Sequence, residues 1–224
     1  MSDMFRINVG CGQTPTEGWR NFDNSMSLRM AKYPALGKIL GYAGFIEKDN
    51  LDFINFLRRC KVEFADAAKR IPLENSSVEV LYSCHMLEHL DRREAVRFLL
   101  EAIRVLRPDG IIRLAVPDIS KNIANYIAGG NADDFIASTY MCQPRPQTVS
   151  QKLKMAIIGP RHHNWMYDGR SLSALLARIG FENPQCLPAG RTTIPTPGDL
   201  DLHERSDESV YVEARKPQSR DARS

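Results

Sequence analysis

Phe5, Ile7 and Val9 alternate with Arg6 and Asn8 and run straight into Gly10-Cys11-Gly12. An apolar and polar alternation ending in a glycine pair predicts a short strand that stops in a tight turn. A second short strand follows over Trp19 to Phe22, and a carboxylate, Asp23, closes it. In an open α/β sheet that is where a nucleotide sits. Glycines let the backbone approach a ligand closely, and the amides they expose can hold an anionic group. An acid at the end of the next strand is suited to a ribose diol.

The spacing selects among nucleotides. A dinucleotide site needs a third glycine opening a helix, and an acid about 20 residues further on, because its pyrophosphate rests on the helix N-terminus. Here Pro15 occupies the third glycine position, and Gln13 to Arg20 leaves little room for a regular helix before Asp23. A nucleoside without phosphates does not need that helix. S-adenosylmethionine is such a ligand, with a ribose for Asp23 and a carboxylate for the loop amides.

Further strands are predicted over Lys61 to Ala65, Val78 to Ser83, Ile111 to Val116, Phe181 to Leu187 and Ser209 to Ala214. Asp66 stands just beyond the first of these, placed either to accept from an adenine amino group or to cap the following turn. Asp91 and Glu94 have capping-box spacing, and Ala95, Leu99, Ala102, Ile103 and Leu106 supply one apolar face of a helix. Pro108-Asp109-Gly110 ends that helix in a turn. The last two strands are expected to pair antiparallel at the sheet edge. Asp168 caps a helix carrying Leu172, Leu175, Leu176 and Ile179, with Gly180 as its stop.

Two stretches read as helical insertions, near 25–60 and 119–160. The first is expected to cap the sheet, with a lid or membrane-touching surface over Tyr33 to Phe45 as the alternative; the second lies where a substrate cover belongs. The loop Pro188 to Glu208 could reach back over the site. At 224 residues and 43% apolar content, one domain over 1–216 with a disordered tail at 217–224 is expected. A net charge of +3 is too small to argue for nucleic acid. Five scattered cysteines without CxxC spacing support neither a disulfide framework nor a zinc site. No run has the length of a signal peptide or a membrane span, so a cytoplasmic protein without an integral membrane segment is expected.

The segments Asn8 to Gly12, Gly18 to Asp23, Ser83 to Leu90, Val105 to Gly110 and Val116 to Asp118 resemble the class I S-adenosylmethionine-dependent methyltransferases. They are most similar to the small branch with a shortened first crossover, often associated with glycan biosynthesis. The resemblance covers about Phe5 to Asp118 and resumes weakly from His162 to Lys216. It implies a Rossmann-like methyltransferase fold: a mostly parallel seven-stranded sheet with helices on both faces and an antiparallel edge strand. It also implies S-adenosyl-L-methionine as cofactor. Gly10, Cys11 and Gly12 would contact its methionine portion, Asp23 its ribose and Asp66 its adenine, with Ser83, Cys84 and His85 lining the site. The third glycine of the family's commonest loop is missing, and Asp109 stands where a glycine is frequent.

Methyl transfer to a hydroxyl or amine needs a base, and His85, Glu88, His89, Asp118, His162 and His163 are the candidates. Asp118, at a strand end, with His162 or His163 is the preferred set. Histidines 85, 89, 162 and 163 with Asp118 are an alternative metal set, but no pair has helical metal spacing, and no metal is expected. The expected reaction is transfer to a small-molecule or glycan-type acceptor at oxygen, with a homodimer as candidate assembly. The competing reading is a non-catalytic protein of this fold that binds S-adenosylmethionine or S-adenosylhomocysteine as a regulator or partner subunit.

Overall fold

The computed structural model describes residues 5–25, 28, 61–142, 148 and 162–218. The expected helices within 25–60 and the loop Gln143 to Pro146 lie outside the described residues, as do 219–224 of the tail.

Seven strands form one sheet in the order β3-β2-β1-β4-β5-β7-β6. They are β1 Phe5–Val9, β2 Arg20–Asp23, β3 Val62–Phe64, β4 Val78–Cys84, β5 Leu106–Pro117, β6 Glu182–Leu187 and β7 Ser209–Arg215. Strands β1 to β5 are parallel neighbours, and β7 runs antiparallel to both β5 and β6. The chain reverses direction across the sheet between β1 and β4. That switch point opens a crevice at the carboxyl ends of the strands, where a ligand finds backbone groups without a strand neighbour.

Helix α1, Arg92–Val105, carries the expected capping box: the Asp91 side chain accepts from Arg93 N and Glu94 N, and Glu94 returns to Asp91 N. Its buried residues are Ala95, Phe98, Leu99, Ala102 and Val105. Helix α2, Ile119–Ile127, and helix α3, Ala132–Ser138, follow β5. Helix α4, Gly169–Ile179, is capped by Asp168 and stops at Gly180, whose φ of 109° a side chain would resist. The apolar faces of α1 and α4 meet Ile7, Val9, Leu81, Ile112, Leu114 and Val212 in the main core.

The other face of the sheet is covered by the segment 188–208. Ile194 and Leu200 pack on Val80, Tyr82, Ile111 and Tyr211. An ion pair is buried there as well, Arg113 Nη1 to Glu213 Oε1 at 2.7 Å, with Thr192 and Thr193 donating to the same carboxylate. The loop thus reaches back across the sheet, and its covalent continuity with β6 and β7 holds it there.

The expected turn at Pro108-Asp109-Gly110 is an excursion within β5. Its partners step from Leu106 to Ile111 while β4 advances only from Val78 to Val80. Asp109 takes φ +62°, a conformation its short side chain tolerates, and Lys216 N and O close the excursion onto Gly110 and Asp109.

Candidate active site

The glycine loop and Asp23 are in direct contact. Gly12 N donates to Asp23 Oδ2 at 3.1 Å, and Ser25 N donates to Asp23 Oδ1 at 2.7 Å. Asp23 is buried, yet each carboxylate oxygen keeps a further lone pair, which is what two ribose hydroxyls require. The loop amides differ from the sequence expectation. Gly10 N and Cys11 N both donate to Phe22 O, at 2.8 and 3.2 Å, so they close the loop onto β2. The short path to Asp23 is the reason: with no helix between, β2 lies directly against the turn. At Gly12, with φ +50°, an added Cβ would meet no heavy atom within 4 Å. The backbone there is open on one side and has a carboxylate on the other.

Asp66 lies beside this group, because Ala65 N donates to Asp23 O at the ends of β2 and β3. Its side chain pairs with Lys69 at 2.9 Å. Ser83 Oγ donates to Val9 O at 2.8 Å and is buried, so it ties β4 to β1 beneath the crevice. Burial pushes the Cys84 thiol up to about 12, which keeps it protonated and unreactive at neutral pH.

His85 begins a second group. Arg205 has only donors, so its Nη1 at 3.2 Å makes His85 Nδ1 an acceptor, and His85 Nε2–H then donates to Ser209 Oγ at 2.7 Å. Burial first, then the Arg205 charge, lowers the imidazole to about 3, so the ring is neutral. Glu88 follows in a 3-10 turn, Leu87–His89, and is fully buried. Its Oε1 lies 3.6 Å from His85 Nδ1, 3.9 Å from His89 Nε2 and 4.0 Å from His163 Nε2. Neither carboxylate oxygen receives a hydrogen bond from the described residues, and burial pushes the group up to about 8. Burial likewise lowers His89 and His163.

Beside these residues lies a cavity of about 560 Å³, walled in part by His85, Lys121, Asn125, Tyr140, His163 and Arg205. It sits over the end of β5, between α2, α3 and the end of the 188–208 segment. Lys121 Nζ holds that segment by donating to Ser206 O, Asp207 O and Ser209 O.

The preferred catalytic set separates. His163 lines the cavity, whereas the backbone carbonyl of His162 serves as acceptor for His89 Nδ1. Asp118 caps α2 by accepting from Ser120 N at 3.0 Å, and its own amide donates to Glu208 O. Arg205, Ser209, Lys121 and Tyr140 were not singled out from the sequence. The charge density of the loop before β7 is a sequence signal for Arg205, and Lys121, Ser209 and Tyr140 carry none.

Residues 47–114 match the family described as a methyltransferase domain. No curated protein matches the chain. Among solved structures, an S-adenosylmethionine-dependent methyltransferase from Methanosarcina mazei is 13% identical, with TM-score 0.53, over 98% of this chain and 95% of that one. One from Thermotoga maritima is 12% identical, with TM-score 0.51, over 96% and 83%. Phosphoethanolamine N-methyltransferase 2 of Haemonchus contortus, solved with phosphomonomethylethanolamine and S-adenosylhomocysteine, is 13% identical with TM-score 0.52, over 97% and 50%.

Over residues 47–114 the chain matches a methyltransferase domain, and its fold is that of the S-adenosylmethionine-dependent methyltransferases. The seven-stranded order, with β7 reversed between β5 and β6, is the fold that the sequence resemblance implied. Among the described residues no helix is long and apolar enough to cross a membrane.

Proposed function

We propose that this methyltransferase acts on a small polar acceptor, of small-molecule or glycan type, and methylates it at oxygen. The observation that carries the reading is His163: its Nδ1–H is committed to Thr139 O at 2.9 Å, so the Nε2 lone pair remains on a ring that lines the cavity. Burial keeps that ring neutral, ready to take a hydroxyl proton.

S-adenosylmethionine supplies a methyl group on a positively charged sulfur, already activated for displacement. The protein has to position, dry and deprotonate. Asp23 holds the ribose hydroxyls, Gly10 to Gly12 brace the nucleoside side of the crevice, and Asp66 meets the adenine amino group. Ser83 to His85 form the floor between that crevice and the acceptor cavity. His163 Nε2 receives the acceptor proton, while Asn125 offers polar contacts to a hydroxylated ligand. A cavity of this size suits a sugar or a compound of similar bulk. Asp118 and His162 act through structure, one as a helix cap and the other through its carbonyl. The polar cavity and the thiols of Cys84, Cys142 and Cys186 support a soluble acceptor in the reducing cytoplasm.

Calorimetry with S-adenosylmethionine and S-adenosylhomocysteine tests the cofactor end. Asp23→Ala is expected to weaken both by roughly tenfold to a hundredfold, the effect of losing hydrogen bonds to a charged group. Unchanged affinity removes Asp23 from the site. His163→Ala is expected to lower turnover on a polyol or phenol panel while leaving cofactor affinity unchanged. Tight cofactor binding with no turnover on any acceptor class favours the regulatory reading instead.

A further inference from the structure

We propose that Glu88, His89 and His163 form a binding site for a divalent transition-metal cation of the zinc class, set in the wall of the acceptor cavity. The inference deepens the reading of that cavity and rests on it only for its functional consequence.

Three observations meet at one point. The ligand atoms of the three residues lie within 4.8 Å of one another. Glu88 is fully buried, and neither of its oxygens receives a hydrogen bond from the described residues. A buried carboxylate in that condition is unfavourable unless a positive charge compensates it. Both imidazoles are also set in the tautomer a metal needs. His89 Nδ1 meets His162 O at 3.0 Å and His163 Nδ1 meets Thr139 O at 2.9 Å. A carbonyl can only accept, so each Nδ1 carries the proton and each Nε2 carries a lone pair. Those Nε2 atoms are the ones 3.9 and 4.0 Å from Glu88 Oε1. Backbone carbonyls that orient a ligating histidine in this way are a recurrent feature of metal sites.

The scaffold is held from both sides. Asn164 N and Trp165 N donate to Glu88 O at 2.7 and 3.2 Å, and Asn164 Nδ2 donates to His89 O at 2.7 Å. The segment carrying His163 is thereby pinned to the turn carrying Glu88 and His89. A tetrahedral ion with bonds of about 2.0 Å holds its ligands roughly 3.3 Å apart. Binding therefore shortens the two Glu88–histidine separations, 3.9 and 4.0 Å, by roughly 0.6–0.7 Å and the histidine–histidine separation by up to about 1.5 Å, which side-chain rotation supplies. Two imidazoles and one carboxylate favour zinc-like ions over calcium or magnesium, which take oxygen ligands. Arg205 is the cation facing the cluster, through His85, and Glu208 at 3.0 Å offsets its charge.

Three protein ligands leave a position for water or for an acceptor oxygen. His163 belongs to both the cluster and the cavity wall, so an ion held there borders the cavity. With the ion bound, a coordinated hydroxyl loses its proton more readily, and His163 serves as ligand in place of base.

The test uses the untagged full-length chain, stripped with chelator and titrated with cobalt(II) chloride under visible absorption. One equivalent is expected to bind with a ligand-field band that zinc(II) abolishes by displacement. Glu88→Gln, His89→Ala and His163→Ala are each expected to weaken cobalt binding on the order of tenfold or more. His162→Ala, which keeps the carbonyl and removes a ring outside the cluster, is expected to leave it unchanged. Circular dichroism confirms folding of each variant; should Glu88→Gln unfold, the partly exposed His89 carries the test alone. No saturable cobalt binding, or one-equivalent binding that survives the cluster substitutions, overturns the site. In that event a turnover loss in His163→Ala with unchanged cofactor affinity leaves the proposed base standing, so the two readings fail separately.

Discussion

A Cβ added at Gly10 would lie 2.5 Å from Met86 Cγ and 2.7 Å from Met86 Cβ, on a backbone whose φ is +72°. Two separate demands, close packing against the β4 loop and a left-handed turn, therefore meet in one residue. Gly10→Ala is expected to destabilise the fold by about 1–3 kcal/mol, the usual range for a strained backbone position. Urea denaturation measures it. Adding Met86→Ala removes Cγ but keeps Cβ and is expected to restore part of the steric share, whereas Met86→Gly removes both atoms, and no recovery with either would assign the whole loss to backbone strain. Glu88 illustrates the opposite problem. Its position before a capping box reads as a helix entry, and its burial among three histidines arises only when residues 162–165 fold against it.

At the level of elements, caps and turns were the most legible features, because their chemistry is local. Asp91, Asp168 and Gly180 end their helices as spacing alone predicts. The helix α1 is also clamped to the loop before β4. Arg104 binds both oxygens of Glu101 and the carbonyls of Ile71 and Leu73, while Ile71 N donates to Glu101. The hydrogen bond from Arg104 holds the Glu101 carboxyl below its ordinary value. A depressed folded value means that the contribution is present above the unfolded titration range and is lost as pH falls through the folded one. Glu101→Gln is therefore expected to lower stability at neutral pH and to flatten its decline between about pH 5 and 3. Parallel acid limbs for wild type and variant would remove Glu101 from that role.

Across the whole molecule, the two sheet faces are closed by different means. One meets α1 and α4 through the main apolar core, and the other meets the 188–208 segment through a smaller apolar cluster and the buried Arg113–Glu213 pair. Removing one member of such a pair strands the other charge. Arg113→Met is expected to cost about 3–5 kcal/mol, and Arg113→Met with Glu213→Leu to cost less than the single substitution. Chemical denaturation of the two variants compares them directly. Glu204 extends the same strap to the glycine loop by accepting from Thr14 Oγ1 and Tyr82 OH, each at 2.7 Å. The cover over the site and the cover over the sheet are one continuous segment.

Sequence by itself determined the strands, the helix ends, the glycine turn and the pairing of Asp23 with it, since each depends on neighbours within a few tens of residues. Periodicity and capping are short-range and survive without tertiary context. Tertiary structure decided which polar groups face one another. The amides of Gly10 and Cys11 turn to β2 because the strands lie in contact, Asp118 caps α2, and His163 parts from His162 at the cavity wall. Glu88 acquires its histidine neighbours from positions up to 75 residues distant, a separation that no spacing rule in the chain encodes.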